Sequence, residues 1–313
     1  MSNIWDIIRQ VISTVEQAKK STEGQPPAPP VSPPPAPEVP QTPVAAPPQA
    51  QPTAPLPDRQ GTFLIPDIYP DDLGPTPNFG VLPGQHVEGK EVVGCYLKAS
   101  EATGWSGQAW FLRNFPLLRQ HASAEFFPGA YHFLRFQSPG GAQAEYFCDL
   151  VDKAGGLGEW GLMPWVDVEE GGQGHWAPGK LANLDHATKQ RLADEVRKCT
   201  EDFISTVKRR WPGVRVGLYG RGIFRDLEIR DAHYGQDAVC NPAYTPHMVP
   251  MDQYGIKIDE ISEWQLCGDG EVYVPGYPHV IPGWGRTDYS VVVDSDKTTL
   301  LSTARRRCLA RAR

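Results

Sequence analysis

Leu162-Met163-Pro164-Trp165-Val166-Asp167-Val168-Glu169 is an apolar run that closes on two acids separated by one residue. Alternate residues of a strand face the same side, with Cα atoms roughly 6.5–7 Å apart. The spacing therefore sets Asp167 and Glu169 side by side at a strand end, and turns Glu170 to the other face. Downstream, Leu192, Val196, Cys199, Phe203 and Val207 recur at intervals of four and three. That periodicity predicts a helix over 186–210, with Asp185 as its N-cap and Pro212-Gly213 as its stop. Val214–Tyr219 then reads as the next strand. Strand, helix, strand in this order is the repeating unit of a parallel sheet.

Working outward, further candidate strands are Phe63–Asp67, Val92–Ala99, Gly129–Phe133, Ala238–Cys240, Glu263–Leu266 and Tyr289–Val293. Weaker helical patterns fall over 109–121, interrupted at Pro116, and over 142–154. About eight strands alternating with helices or long connections make a closed β/α barrel the expected architecture. The expected fold class is thus α/β, an irregular, TIM-like barrel.

Composition divides the 313 residues further. Fifteen of the 32 prolines lie between Pro26 and Pro57, which marks residues 22–58 as a polyproline-like linker. Before it, Ile4, Ile7, Ile8, Val11, Ile12 and Val15 form an amphipathic stripe over residues 1–21, a helix expected to dock on a protein partner. The barrel is expected over 59–300, with a basic tail over 301–313. A net charge of −7 argues against nucleic acid as the main partner. Apolar runs are far shorter than the ~20 residues of a membrane span. Cys95, Cys148, Cys199, Cys240, Cys267 and Cys308 are scattered, with no Cys-x-x-Cys pair, and are expected to be free thiols. No histidine spacing suggests a metal, and no cofactor is expected. Asp6, Arg9 and Gln10 break the first apolar stretch, so synthesis in the cytoplasm without a signal peptide is expected.

In a β/α barrel the C-terminal ends of the strands form the active face. Two carboxylates side by side there suit sugar hydrolysis. Each disfavours ionisation of the other, so one can keep a proton near neutral pH and serve as a general acid. Asp67 ends the first strand and Asp288 precedes the last, and in a closed barrel those strands are neighbours. Tyr96, Tyr131, Phe133, Tyr219 and Trp264 occupy strand positions. Rings of this kind pack on the C–H faces of sugars. Tyr131 and Trp264, each beside a polar residue, are the strongest candidates among them.

The order of these segments resembles glycoside hydrolase family 25, the lysozymes or N-acetylmuramidases of bacteriophages and bacteria. Val93-Gly94-Cys95-Tyr96-Leu97-Lys98-Ala99-Ser100-Glu101 is similar to the family's Ile-Lys-Ala-Thr-Glu-Gly strand and loop, and Gly129-Ala130-Tyr131-His132-Phe133 to its Gly-Ala-Tyr-His-Phe strand. Ala142–Phe147, Asp167-Val168-Glu169, Tyr219, Trp264-Gln265 and Asp288 follow in the family's order. The resemblance spans roughly 61–293. It implies cleavage of the β-1,4 bond between N-acetylmuramic acid and N-acetylglucosamine in bacterial peptidoglycan, by a phage endolysin or virion-associated lysin released from the cytoplasm or carried in a particle. It further implies Glu169 as general acid, Asp167 as the charge stabilising the sugar cation, and Asp67 and Asp288 as the acidic floor. Lys98, Glu101, Tyr131, Tyr219, Trp264 and Gln265 would line the saccharide groove.

The sequence departs from the family at Leu64–Tyr69, at Leu266, and in the sixth strand, whose pattern is faint near Pro250–Tyr254. Two rival readings are a non-catalytic glycan-binding module and a virion assembly protein working through the N-terminal helix. If the proline-rich stretch is a spacer, deleting residues 1–58 is expected to leave the melting temperature and the cleavage of soluble glycan unchanged, with action on intact walls reduced. A drop of many degrees on deletion would instead make the helix part of the barrel core.

Overall fold

The computed structural model describes residues 63–70, 74–87, 89–243, 249–267, 280–281, 285–293 and 296–303. The expected N-terminal helix, the proline-rich stretch and residues 304–313 of the basic tail lie outside them. The strand β1 (Phe63–Ile68) is followed by a short hairpin of β2 (His86–Val87) and β3 (Lys90–Val92), and then by β4 (Gly94–Glu101). Next come α1 (Gln108–Arg119), β5 (Phe127–Phe133), α2 (Gly140–Lys153), β6 (Trp165–Asp167), α3 (His186–Arg210), β7 (Gly217–Tyr219) and α4 (Gly222–Asp226). The chain continues through β8 (Ala238–Pro242), β9 (Ile261–Cys267), a hairpin of β10 (Val280–Ile281) and β11 (Gly285–Arg286), and β12 (Asp288–Val292).

Eight of these strands close a barrel. β1, β4, β5, β6, β7, β8 and β9 pair in parallel in that order, and β12 completes the ring antiparallel to both β9 and β1. All eight candidate strands are present, several with shifted ends. The one antiparallel strand has a topological cause. A parallel return needs a crossover, and the described part of the β9–β12 connection holds a hairpin instead.

The faint sixth-strand pattern near Pro250–Tyr254 is corrected. β8 is the sixth barrel strand, while Asp252–Tyr254 is a single 3-10 turn whose Tyr254 packs in the outer layer. A second correction concerns Pro116. The helix α1 runs through it, with Phe111, Phe115 and Leu118 buried around it, so one missing N–H is tolerated where packing holds the neighbouring turns. The helix α3 has the expected bounds, and Asp185 caps it by accepting the Thr188 N–H at 2.9 Å. Its expected apolar stripe, Leu192 to Val207, is buried.

Two apolar layers result from strand alternation. Leu64, Leu97, Ala130, Val166, Leu218 and Val291 point outward into the layer shared with the helices. Ile65, Tyr96, Trp165, Cys240 and Val292 point inward. The inward rings of Tyr96 and Trp165 meet edge to face, 6.2 Å between centroids, because small residues face them. A Cβ on Gly129 would lie 2.4 Å from the Tyr96 ring, and one on Gly217 2.4 Å from that of Trp165. Gly217→Ala is therefore expected to cost about 1–3 kcal/mol, lowering the melting temperature by several degrees. An unchanged melting curve would contradict this packing.

The segment 297–303 seals the opposite end. Leu300 and Leu301 join the inner layer, and Leu301 and Thr303 bridge to Leu162 and Val214. Pairing thus runs slightly past the expected barrel boundary at residue 300. Among the described residues no helix is long and apolar enough to cross a membrane.

Candidate active site

Parallel strands bring their C-terminal ends to one mouth, and a cavity of about 370 Å³ opens there. Its walls hold Asp67 from β1, Lys98 from β4, Tyr131 and Phe133 from β5, Asp167 and Glu169 from β6 and its extension, and Tyr219 from β7. Gln265 from β9 and Asp288 from β12 complete the ring. Most of the sequence candidates therefore converge. Among the described lining residues there are five carboxyl groups and a single cation, Lys98.

Asp67 and Asp288 are directly opposed across the β1–β12 ladder, as neighbouring first and last strands require. The Gln265 side chain lies between them. Its Nε2 donates to Asp67 Oδ2 at 3.2 Å and to Asp288 Oδ2 at 3.4 Å, while its Oε1 accepts from the Tyr219 hydroxyl. One amide thus ties three strands at the floor of the mouth.

The Asp167–Glu169 pair behaves as an asymmetric dyad. Asp167 is only 8% exposed, whereas Glu169 is half-buried. Burial pushes the Asp167 carboxyl well above the usual range, the charges of Glu169 and Asp67 push it further, and Lys98 and Arg135 oppose them. Its Oδ1 has no hydrogen-bond partner. Burial and the neighbouring carboxylates thus favour the neutral form of Asp167, the deeper acid of the pair. Glu170 turns away, as alternation requires, and its Oε2 accepts the Gly179 N–H at 2.7 Å.

Lys98 is held from several directions. Its ammonium pairs with Glu101 at 2.7 Å and lies 4.8, 5.3 and 4.7 Å from the ring centroids of Tyr69, Trp105 and Phe133. Arg135 also bonds Glu101, its Nε at 2.8 Å, and covers the Phe133 ring. Burial raises the Glu101 carboxyl, but Lys98 and Arg135 outweigh it and hold the pKa below its ordinary value.

Behind this wall, Ser100 donates to His132 Nδ1 at 2.7 Å, and His132 Nε2 donates to Gln143 Oε1 at 3.1 Å. Burial keeps the imidazole neutral, its pKa lowered to about 3. Gln143 in turn bonds the backbone of Arg135 and Ser138. Although the order hydroxyl, imidazole, amide resembles a nucleophile relay, all three side chains are fully buried outside the cavity. Their work is to fix the loop that carries Arg135.

Two candidates fall elsewhere. Trp264 faces outward into the helix layer, because on a strand it cannot share a face with Gln265. Glu101 follows an irregularity between Lys98 and Ser100 and points to Arg135, so it serves Lys98 and does not line the cavity. Seven lining residues lie outside the predicted site set: Tyr69, Tyr96, Phe133, Trp165, Cys240, Glu263 and Ser290. Period-two counting back from Gln265 would have found Glu263.

No family model matches the sequence, and no curated protein matches it. Solved structures do. A family 25 glycosyl hydrolase from Bacillus anthracis superposes with a TM-score of 0.52 at 19% identity, over 79% of this chain and 95% of that one. A bacterial lysozyme from Streptomyces coelicolor gives 0.51 at 19%, over 79% and 99%. A family 25 lysozyme from Aspergillus fumigatus gives 0.50 at 16%, over 77% and 99%. The barrel therefore has the fold of the family 25 muramidases.

Proposed function

We propose that this barrel is a peptidoglycan hydrolase that cleaves the β-1,4 bond between N-acetylmuramic acid and N-acetylglucosamine, and so lyses bacterial cell walls, as a phage lysin does. The observation that carries the reading is the convergence of Asp67, Asp167, Glu169 and Asp288 on one open cavity whose walls also present Tyr69, Tyr131, Phe133 and Tyr219. The rings suit the apolar faces of sugars, and the polar floor suits their hydroxyl and acetamido groups.

In this mechanism Glu169, nearer to solvent, protonates the leaving glycosidic oxygen. Asp167, deeper and next to the sugar ring, opposes the positive charge developing there; water then adds its oxygen to the anomeric carbon and returns a proton to the acid pair. A proton that starts on the deeper acid, whose neutral form burial favours, separates the two roles. A bound glycan excludes water from Glu169 and so favours its neutral form. Growing positive charge on the sugar favours an ionised Asp167. Both effects move the proton from Asp167 to Glu169 as the bond begins to break. Asp67, Asp288 and Gln265 hold the floor on which the reacting sugar rests.

Incubation with purified cell walls tests the reading: turbidity is expected to fall. Binding to the walls without any fall would favour the glycan-binding alternative and overturn the hydrolase.

A further inference from the structure

We propose that Glu263 is a positioning residue of this site, a carboxylic acid sunk in the barrel interior that stays neutral beneath the acid cluster and thereby keeps Asp67 in register above it. The role in turnover rests on the hydrolase reading above. Glu263 lies on β9 two residues before Gln265 and on the same inward face, one layer deeper in the same cavity. It is 2% exposed, and its Oε1 has no hydrogen-bond partner. Its direct partners across the ladders are Cys240 on β8 and Val292 on β12, neither of which carries a positive charge.

The groups that surround it argue for a neutral acid. Asp67 acts on it from β1, Tyr96 from β4 and Trp165 from β6. Asp167 and Asp288 stand in the same cavity, on β6 and β12. No cation is among the groups that shift Glu263. Lys98 pairs with Glu101, and Arg215, whose guanidinium bonds the Thr299 carbonyl, acts on Tyr96 from the sealed end. Burial first, and the charge of Asp67 second, raise the Glu263 carboxyl to about 8, against a smaller opposite pull from Trp165 and Tyr96.

The interaction is reciprocal. Whatever the Asp67 charge does to Glu263, a charge on Glu263 does to Asp67. Once ionised, Glu263 is a buried carboxylate with one unbonded oxygen, repelling the acid that Gln265 holds in place. The floor then loses its geometry. Activity should therefore fall as pH rises through about 8.

Glu263→Gln keeps the shape and removes the titration. Its rate is expected to match wild type in the acid range and to exceed it by about tenfold one pH unit above the Glu263 transition, where roughly nine-tenths of wild-type molecules carry the charge. Glu263→Met should extend the alkaline limb in the same way, and Glu263→Asp should restore it. Stability gives a second readout. The folded protein holds a proton on Glu263 that the unfolded chain releases, so wild-type stability is full below the ordinary carboxylate range and declines as pH rises toward about 8. The melting temperature of Glu263→Gln should accordingly gain on wild type across that window. Identical pH–rate profiles, or a melting difference that does not change with pH, would overturn the proposal. A wild-type protein that clears no wall at any pH would overturn the hydrolase reading. A melting difference that still grows with pH would then leave the buried neutral acid standing, and one that does not would overturn both.

Discussion

Glu169→Gln is expected to slow cell-wall hydrolysis by a factor on the order of 10²–10⁴, the range for loss of a general acid. The amide has nearly the shape of the carboxyl but no proton to give. Glycan binding and thermal stability should be close to wild type, because Glu169 sits at the half-buried rim and not in the apolar layers. The loss should appear in kcat and leave KM almost unchanged. Wild-type turnover in this variant would reassign the proton donor to Asp288, which shares the cavity. Glu170 is not a candidate, since its carboxylate bonds the Gly179 N–H on the other face.

Asp167→Asn is expected to cost a factor on the order of 10² or more in kcat, through charge and not proton transfer. It should also leave a signature on stability of the opposite sign. Burial and the neighbouring acids raise the Asp167 pKa, so the folded protein binds a proton here that the unfolded chain has lost. Stability contributed by that proton is present below the ordinary carboxylate range and is lost as pH rises through the raised value. The neutral asparagine escapes this penalty. Its melting temperature should equal wild type in acid and exceed it near neutral pH, while activity falls at both. A variant less stable than wild type at neutral pH would contradict the raised Asp167 pKa.

The same alternation rule that made much of this site legible also explains where sequence reading failed. Asp167 and Glu169 on one face, Glu170 on the other, and Asp67 opposite Asp288 all follow from period-two geometry and barrel closure. The Trp264-Gln265 motif points to the groove as a pair, but consecutive strand residues face opposite ways and only Gln265 reaches it. Glu263, the residue that does share a face with Gln265, sits in an interior position where an apolar side chain is the usual occupant. Glu101 depended on a local irregularity in β4 that no periodicity encodes. Tyr69 lies just beyond β1, and its ring meets both Lys98 of β4 and Trp105 of the loop after it. Contacts of that kind join segments distant in sequence and have no local signal.

Helix bounds divided along similar lines. The cap at Asp185 and the stop at Pro212-Gly213 act within a few residues, and α3 has the expected ends. The local cost of Pro116 favours a break, but tertiary burial of Phe111, Phe115 and Leu118 carries α1 through it.

The central claim is that Asp167 and Glu169 cut one particular glycosidic bond. Digestion of purified peptidoglycan, followed by reduction and analysis of the released muropeptides, tests it most directly. New reducing ends on N-acetylmuramic acid are expected from the wild-type barrel and should be nearly absent with Glu169→Gln. Reducing ends on N-acetylglucosamine, or soluble fragments with every glycosidic bond intact, would contradict it.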